Sequence, residues 1–426
     1  MHICMLTYYY WPVRAGGAEN QCRRLSAALA GKGHVCTVLT TRQRITDPAQ
    51  EKERSGVRIV RKPTLETLLQ KIRTLLVRGR QEEITDQGGQ KEKQTEIAGR
   101  RETTAQQPST FGGRWREWLA SLAAYTVRYC NIIIFVIGII TFLRKNRHTL
   151  DILHVHTADW IAGVAAFLGK IFGIPVVCKG ADMPIFPPLH VVPMAACCDV
   201  WRKKPHFIAL TQAMRDDLIE HDVAGQHITI IPNGVLLPEQ IAPVQENNDF
   251  LYIGNFSQSA AHKGFDVLIA AWAIFHSQYP LSRLLLLGGG DAGPWQQLAQ
   301  ELDCADSIEF AGYQIAPAPF FKKSCCLLLP SRKEGISNAL LEAQSWGLPA
   351  IVSDIPGNRE VVRHQQTGLI VPTEDTTALA EAMIFLYTRP ALRQEYGTAA
   401  RKHMEDNFSI DSVAEQVIAL YKKCKK

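Results

Sequence analysis

A chain of 426 residues, 46% of them hydrophobic and 21% charged, exceeds the size at which one hydrophobic core stops growing. Length and composition therefore exclude global disorder and predict two domains. The net charge of +6 is uneven, because residues 1–200 hold 27 Lys and Arg but 16 Asp and Glu, which favours an anionic partner for the first half.

The N-terminal residues 1–6 enter an apolar run without the basic region and cleavage site of a secretory signal, so we expect no such signal. The eleven cysteines show no metal-binding or disulfide spacing, and adjacent pairs occur at Cys197/Cys198 and Cys325/Cys326. This pattern predicts reduced, buried thiols and a cytoplasmic location.

Short apolar, β-rich runs alternate with helical patterns in both halves of the chain. The runs are Ile3–Tyr8, Val35–Thr40, Asp151–His156 and Val176–Val177, then Phe250–Ile253, Arg283–Leu287, Cys325–Leu329 and Ala350–Ser353. Such alternation predicts parallel sheets covered by helices, and the Pro/Gly breaks at 232–234 with the polar stretch 238–249 predict a linker. We therefore predict an α/β fold with two Rossmann-like domains facing a cleft, in which ligands bind beyond the carboxyl ends of the strands.

Between the second and third runs, residues 78–113 are polar and nearly free of large apolar side chains, which predicts a flexible insertion. In residues 114–147, Trp and Arg side chains recur at helical spacing and the uncharged run Tyr129–Leu143 follows. That run is shorter than the ~20 residues of a spanning helix, and one crossing would separate strands of a single sheet. Two interpretations stay open, a core helix of the first domain and a helix lying in the membrane interface.

Three sites in chain order carry side chains or turns that suit a ligand. The glycine turn at Gly16 and Gly17 follows the first strand, where backbone approaches a ligand closely. His156 ends the Asp151–His156 strand and, unlike His154, is positioned to overhang the cleft. Lys263 follows a polar loop after Phe250–Ile253, and its cation can neutralise a phosphate. The local sequence leaves an alternative open for each site: a plain strand-to-helix turn at Gly16 and Gly17, a structural role for His156 and a solvated side chain for Lys263.

A second glycine turn, 288–293, formally matches the dinucleotide-binding pattern after a strand, and Glu309 lies where a ribose-binding acid is expected. This would favour an enzyme that uses a nicotinamide cofactor. The match is weak, because three consecutive glycines satisfy many patterns.

The segment from Glu334 to Glu342 places two carboxylates eight residues apart after the Cys325–Leu329 strand. A helix starting near Gly335 would direct the free N–H groups of Gly335–Asn338 at the cleft, where they suit a diphosphate. A carboxylate there suits a polyol, because its two oxygens accept hydrogen bonds from adjacent hydroxyls. On spacing alone, an ordinary amphipathic helix is as good an interpretation.

Together these motifs resemble the family 4 retaining glycosyltransferases. The matching segments are Gly16–Glu19, Leu153–His156, Ile231–Val235, Glu334–Glu342, Gly347–Pro349 and Thr367–Pro372. The resemblance covers residues 1–62 and 150–426 and omits the insertion.

The resemblance implies the two-domain GT-B fold: an N-terminal acceptor domain (1–235), a C-terminal nucleotide-sugar domain (236–408) and a final helix (409–426) packing back on the first. It implies that Glu342 binds the ribose hydroxyls, Lys263 the diphosphate, and the backbone of Gly335, Ile336, Ser337 and Asn338 the distal phosphate. Glu334 and His156 are implied to lie beside the transferred sugar, with Gly16 and Gly17 near phosphate and acceptor.

One departure from the family pattern is Gly254-Asn255, where the family usually has a Gly-Arg pair. Losing one charge-assisted contact of about 1.5–3 kcal/mol slows catalysis ten- to a hundredfold unless another cation substitutes.

The predicted function is retaining transfer of a sugar from a nucleoside diphosphate, with uridine favoured, to a glycan or lipid-linked acceptor. We expect no cofactor and no essential metal, since the chain contains no Asp-x-Asp triplet. We also expect no nucleic-acid partner, because the basic residues accompany no recognition module. A non-catalytic, membrane-associated partner protein is the first alternative and an NAD-linked enzyme the second; the predicted location is cytoplasmic, peripheral to the membrane through 114–147.

Overall fold

The computed structural model describes residues 1–10, 16–71, 112–157, 160–180, 202–239, 241 and 248–425. Side chains of residues 112–124 and 258–260 are not described. The predicted flexible insertion, 78–113, lies outside the described residues except for its last two, which begin a helix. The aromatic and basic side chains predicted at 114–118 also lie outside the described set.

The first domain is built on an eight-stranded sheet with the order β3-β4-β2-β1-β5-β6-β7-β8. Its strands are β1 (His2–Leu6), β2 (Val35–Thr41), β3 (Gln50–Lys52), β4 (Arg58–Lys62), β5 (Ile152–Val155), β6 (Val176–Lys179), β7 (His206–Ala209) and β8 (Ile228–Ile230). Neighbouring strands are parallel except β3 and β4. The helices of this domain are α1 (Gly17–Gly31), α2 (Gly112–Asn146), α3 (Trp160–Phe172) and α4 (Gln212–Glu220).

The second domain has a six-stranded parallel sheet with the order β11-β10-β9-β12-β13-β14. Its strands are β9 (Asp249–Ile253), β10 (Leu284–Leu287), β11 (Ile308–Gly312), β12 (Ser324–Leu329), β13 (Ala350–Ser353) and β14 (Gly368–Val371). The helices that follow are α5 (Phe265–His276), α6 (Gly293–Glu301), α7 (Ala318–Lys323), α8 (Asn338–Ser345), α9 (Pro356–Arg359), α10 (Thr376–Tyr387), α11 (Pro390–Asn407) and α12 (Ile410–Cys424).

Both sheets are covered by helices, so their central strands are buried on two faces and consist of continuous apolar residues. Leu284–Leu287 in β10 is the clearest example, because all four leucines are buried. Every apolar run singled out in the sequence lies in one of the two sheets. The predicted α/β class with two Rossmann-like domains is confirmed.

The chain passes between the domains twice, and the two crossings are hydrogen-bonded to each other. Val235 N–H donates to Phe408 O at 2.8 Å, and Ile410 N–H donates to Val235 O at 2.9 Å. Beyond this point, α12 buries Val417 and Tyr421 in the core formed by α1 and the first sheet. The last helix therefore belongs to the hydrophobic core of the first domain.

Helix α2 has two different faces. Phe135, Ile139 and Leu143 are fully buried on one face, and the helix contacts α3 and β4. The segment Tyr125–Asn146 is long and apolar enough to cross a membrane, with a third of it buried in the protein. Strands β4 and β5, which flank the helix in the chain, lie in one sheet and therefore on one side of any bilayer. One face of this helix thus agrees with the prediction of a core helix. The opposite face is apolar and exposed.

Candidate active site

A cavity of about 1560 Å³ lies between the two domains. Part of its lining follows the carboxyl ends of β5, β6, β9, β10 and β12, as expected for open parallel sheets. The cavity lining includes all ten residues that the sequence singled out as site candidates, which are Gly16, Gly17, His156, Lys263, Glu334, Gly335, Ile336, Ser337, Asn338 and Glu342. Residues more than three hundred positions apart are therefore brought to one cleft.

The two glutamates lie on different kinds of backbone. Helix α8 begins at Asn338, with Ser337 as its extended N-cap residue, so the expected helix start near Gly335 is wrong by three residues. Gly335–Ser337 remain non-helical, which leaves Glu334 in the loop after β12 and Glu342 in the second turn of α8. The first N–H groups of α8 lie at the cavity, where the helix dipole favours an anion.

Gly357 holds the Glu334 loop in position through close backbone contact. A Cβ atom at residue 357 would lie 1.6 Å from Gly335 O and 2.7 Å from Glu334 O. We expect Gly357→Ala to lower the free energy of unfolding by about 1–3 kcal/mol, because the loop must move to accept the methyl group. Urea denaturation measures this change. Gly31→Ala is the matched control, since a Cβ atom there meets no atom within 4 Å, and an equal loss in that variant would contradict the explanation.

Lys263 and Glu334 form an ion pair inside the cleft, and both side chains are largely buried. Ser331 Oγ also donates to Glu334 Oε1 at 3.1 Å. Lys263 is fixed by Gly264, whose left-handed backbone (φ +71°) brings the chain so near Pro330 that a Cβ atom would lie 2.1 Å from its carbonyl oxygen. The lysine and the glutamate loop are thus held together by side-chain and backbone contacts.

Glu342 forms an ion pair with Arg24 of helix α1, across the interdomain cleft. Gln21, one turn earlier on α1, donates to Gly234 O at 2.9 Å and to Asn338 Oδ1 at 2.6 Å. Asn338 Nδ2 in turn donates to Gly17 O at 3.0 Å. The glycine turn of the first domain and the start of α8 are therefore joined by hydrogen bonds.

His156 lies in the wall contributed by the first domain, next to a second buried histidine. The His154 and His156 rings are stacked with centroids 4.5 Å apart, and His154 Nδ1 is hydrogen-bonded to Tyr421 OH. Burial lowers the pKa of His154 to about 3, and burial followed by the charges of His154 and Lys179 lowers the pKa of His156 well below its ordinary value. Both imidazoles are therefore neutral at pH 7, and only His156 lines the cavity.

The glycine turn after β10 does not form a dinucleotide site with Glu309. A Cβ atom at Gly288 would lie 1.6 Å from Gly254 O, so this glycine is required by contact with the neighbouring strand end. Glu309 pairs in register with Leu285, near the start of β10, and its carboxylate is 3.8 Å from Lys323 Nζ. The acid is thus near the strand ends opposite the cleft, and the geometry gives the NAD interpretation no support.

Arg24, Gln21 and Lys179 line the cavity and were not identified from the sequence. The sequence does contain a signal for Gln21 and Arg24, because together with Gly17 they have the i, i+4, i+7 spacing of one helix face. Lys179 is the last residue of β6, a strand that the sequence predicted only as Val176–Val177. A prediction that extended the strand to residue 179 would have placed Lys179 at its carboxyl end, where ligand-binding residues are expected.

Asn255, at the position where an arginine was expected, also lines the cavity. Its Oδ1 accepts a hydrogen bond from Ser257 N–H at 2.9 Å, so the side chain stabilises the turn after β9. The cationic side chains that line the cavity within the described residues are those of Arg23, Arg24, Lys52, Arg54, Lys179 and Lys263. Other cations are therefore available in the cleft.

Comparison with known proteins agrees with this geometry. Residues 16–234 match the model described as glycosyl transferase 4-like domain, which is half of the chain, and residues 247–389 match the model described as glycosyl transferases group 1. The chain is 26% identical over 211 residues to an uncharacterized glycosyltransferase of Haemophilus influenzae, covering 49% of this chain and 59% of that one. It is 24% identical over 450 residues to the glycogen synthase of Mycobacterium tuberculosis, covering 100% and 95% of the two chains.

Among solved structures, Anabaena HepE in complex with UDP-glucose superposes with a TM-score of 0.69 at 15% sequence identity. The superposition covers 99% of this chain and 100% of HepE, which at this identity shows a common fold. The two matched domains meet at the cleft that holds the paired carboxylates and the glycine turn. The chain belongs to the glycosyltransferases with a glycosyl transferase 4-like domain and has their two-domain GT-B fold.

Proposed function

We propose that this glycosyltransferase moves a sugar from a nucleoside diphosphate, with uridine favoured, to a hydroxyl group of a glycan or lipid-linked saccharide, with retention of configuration. The observation that carries the proposal is the cleft, where Glu342, Lys263 and the first N–H groups of α8 line one wall and His156 lines the other. The UDP-glucose bound to HepE, a protein of the same fold, supports the choice of uridine.

In this proposal each end of the donor meets a suitable group. Glu342 accepts hydrogen bonds from the two ribose hydroxyls, and one of its oxygens already accepts from Arg24, which orients the carboxylate. Lys263 and the N-terminus of α8 hold the diphosphate, because positive charge is needed where the leaving group gains negative charge. Lys263 is paired with Glu334 in the cleft, so the donor diphosphate would compete with this carboxylate for the lysine.

Retention requires the acceptor hydroxyl to approach the anomeric carbon from the side on which the diphosphate leaves. The bond from the anomeric carbon to the phosphate oxygen breaks, the bond to the acceptor oxygen forms, and the hydroxyl proton leaves with the diphosphate or with a nearby base. Glu334 and His156 are the proposed groups beside the transferred sugar. Neutral His156 can donate or accept a hydrogen bond there without adding charge.

Calorimetric titration of the full chain with UDP, GDP, ADP and uridine tests the donor assignment. We expect UDP to bind more tightly than the other diphosphates and far more tightly than uridine. Addition of EDTA should leave UDP binding unchanged, because the proposed counterions are Lys263 and α8. NMR of the first product formed then reports the anomeric configuration, and inversion would contradict the retaining assignment.

The rival function is a non-catalytic partner protein with the same fold, and the replacement of the expected arginine by Asn255 favours it. Release of nucleoside diphosphate from a donor distinguishes the two functions. A protein that binds UDP-sugars and releases no UDP with any acceptor would support the rival.

We further propose that the enzyme acts at the cytoplasmic face of a membrane, held there by helix α2. The exposed face of α2 carries a stripe of large side chains at helical spacing, which are Tyr125, Tyr129, Ile133, Ile137 and Ile140. Exposed Arg144, Lys145 and Arg147 follow at its C-terminal end. Aromatic and aliphatic residues next to basic ones suit an anionic lipid surface.

The double variant Ile133→Ser/Ile137→Ser is expected to partition about tenfold less onto anionic vesicles than the wild type, because it removes two apolar side chains that insert into lipid. Both side chains are more than half exposed, so the fold should tolerate the change. Vesicle sedimentation measures the partition. Leu281→Ser is the control, since Leu281 is 91% exposed in the second domain. Equal partition of the wild type and the double variant would contradict the proposal.

A further inference from the structure

Lys179 is a buried cation to which the proposed catalytic roles assign no task. It ends strand β6, is only 4% exposed, and lines the interdomain cavity. Within the described residues, its Nζ has no hydrogen-bond acceptor and no carboxylate at ion-pair distance. Lys263 and Arg24, by contrast, each have a glutamate partner in the same cavity. Lys179 is therefore a charged group that lines the cleft and has no counterion in the part of the chain that the structure describes.

Burial of this amine is costly to the fold. Burial lowers the pKa of Lys179 to about 8, and the Cys22 thiol beside it offsets the effect only in part. A pKa near 8 leaves most of the amine protonated at pH 7. A buried charge without a partner destabilises a protein, and such groups are concentrated where a ligand supplies the missing charge.

The nitrogens of the His156 ring, which is next to Lys179, also lack hydrogen-bond partners in the described parts of the chain. His156 is only 2% exposed. The stacked His154 ring covers one face of the imidazole, and His156 lines the cavity. A neutral imidazole carries one N–H donor, so Lys179 and His156 together present donors and one positive charge on this wall.

A donor set of this kind suits an oxyanion better than a hydroxyl. Charge-assisted hydrogen bonds to a carboxylate or phosphate are about twice as strong as neutral ones, and only an anion supplies the missing counter-charge. The opposite wall holds Lys263, Glu334 and α8, which are assigned to the diphosphate and sugar. In the proposed donor complex, the wall that holds Lys179 would therefore lie across from the diphosphate and the sugar, which are the parts of the donor beyond the ribose.

We propose that Lys179 and His156 form an oxyanion subsite, which binds an acidic group of the donor beyond the ribose. The group is either the carboxylate of a transferred uronic acid or the outer phosphate of the diphosphate. The inference rests on the proposed nucleotide-sugar donor and adds a substrate class to it.

UDP, UDP-glucose and UDP-glucuronate distinguish the two sources, because the two sugars differ only in a hydroxymethyl or carboxylate group. Each is titrated into the wild type and into Lys179→Met, which keeps a similar side-chain length. If the subsite binds a sugar carboxylate, the variant loses about ten- to a hundredfold in affinity for UDP-glucuronate and retains its affinity for UDP and UDP-glucose. If it binds the diphosphate, all three ligands weaken by a similar factor and uridine does not.

Lys402→Met is the matched control, since Lys402 is exposed and pairs with Asp406 on the surface of α11. Affinities within about twofold of wild type for all ligands in Lys179→Met would overturn the subsite and leave the proposed function standing. Failure of the wild type to bind any of the three UDP ligands would overturn the proposed donor and the subsite together.

The melting temperature provides a second test, because a lysine with a structural role and a lysine of a ligand subsite predict changes of opposite sign in Lys179→Met. Without ligand, Lys179→Met is expected to melt roughly 2–4 °C above the wild type, because the variant removes a buried charge that none of the described residues pairs with. The difference in melting temperature should be largest below pH 8, where the amine is protonated in the folded protein. It should shrink between pH 8 and 10.5, the pKa of the amine in the unfolded chain, because the folded amine loses its proton first. His154, His156 and Cys22 face the amine, and their neutral forms are shared by both proteins across neutral pH. A lower melting temperature of the variant would indicate a structural role and contradict the subsite.

Discussion

Replacement of Lys263 by alanine is expected to lower the rate of sugar transfer by about a hundred- to a thousandfold. The leaving diphosphate gains negative charge as its bond to the sugar breaks, and Lys263 is the cation proposed to stabilise that charge. The effect should appear in kcat more than in KM, because the lysine acts most strongly when the charge develops. Release of UDP from the preferred donor, followed in a coupled assay, measures the change.

Two controls separate this role from damage to the fold. Lys402→Ala removes a lysine from the exposed surface of α11 and should transfer sugar at the wild-type rate. In Lys263→Ala, Glu334 loses its cation and keeps the hydrogen bond from Ser331. The double variant Lys263→Ala/Glu334→Gln removes that unpaired carboxylate, so recovered stability without recovered activity is the expected result. Near-normal turnover in Lys263→Ala would show that another cation carries the reaction.

Replacement of Glu342 by alanine is expected to weaken UDP binding about a hundredfold, because two hydrogen bonds from the ribose hydroxyls to a carboxylate are lost. A pair of ligands tests that role directly. The wild type should bind UDP more tightly than 2′-deoxy-UDP, and Glu342→Ala should bind the two with equal affinity. Calorimetry gives both affinities.

Arg24→Met is the matching control for Glu342→Ala. It breaks the same interdomain ion pair but leaves the carboxylate in place. This variant should still distinguish UDP from its 2′-deoxy analogue. If Glu342→Ala kept that discrimination, the ribose would be bound elsewhere and the assignment of Glu342 would be wrong.

The fold was predictable from the sequence because the central strands are buried on both faces. Leu284–Leu287 and the other apolar runs indicate segments in the protein interior. Their alternation with helices favours parallel sheets. Two of the strands that the sequence did not reveal, β3 and β4, lack this signal. β3 (Gln50–Lys52) is charged and exposed, and β4 (Arg58–Lys62) begins and ends with basic residues. β3 is the edge strand and β4 lies next to it, and both are specified by pairing with their neighbours, which a local pattern does not contain.

The candidate site was predictable where a motif is local and not where it depends on the two domains meeting. Glu334, Glu342 and Lys263 follow strands of the second domain, so their position at the cleft follows from chain order. The pairing of Glu342 with Arg24, 318 residues away, depends on how the domains close. The helix start was misplaced because Gly335, which precedes the helix in a non-helical loop, packs closely against Gly357, and this is a tertiary contact.

The central claim is that the interdomain cleft transfers a sugar from a nucleotide donor. Mass spectrometry of the products from a panel of UDP-, GDP- and ADP-sugars, with lipid-linked and soluble glycan acceptors, tests it most directly. We expect one UDP-sugar to yield an acceptor heavier by one sugar residue together with free UDP, and Lys263→Ala to yield neither above background. An unmodified acceptor with every donor, or equal product from the wild type and Lys263→Ala, would contradict the claim.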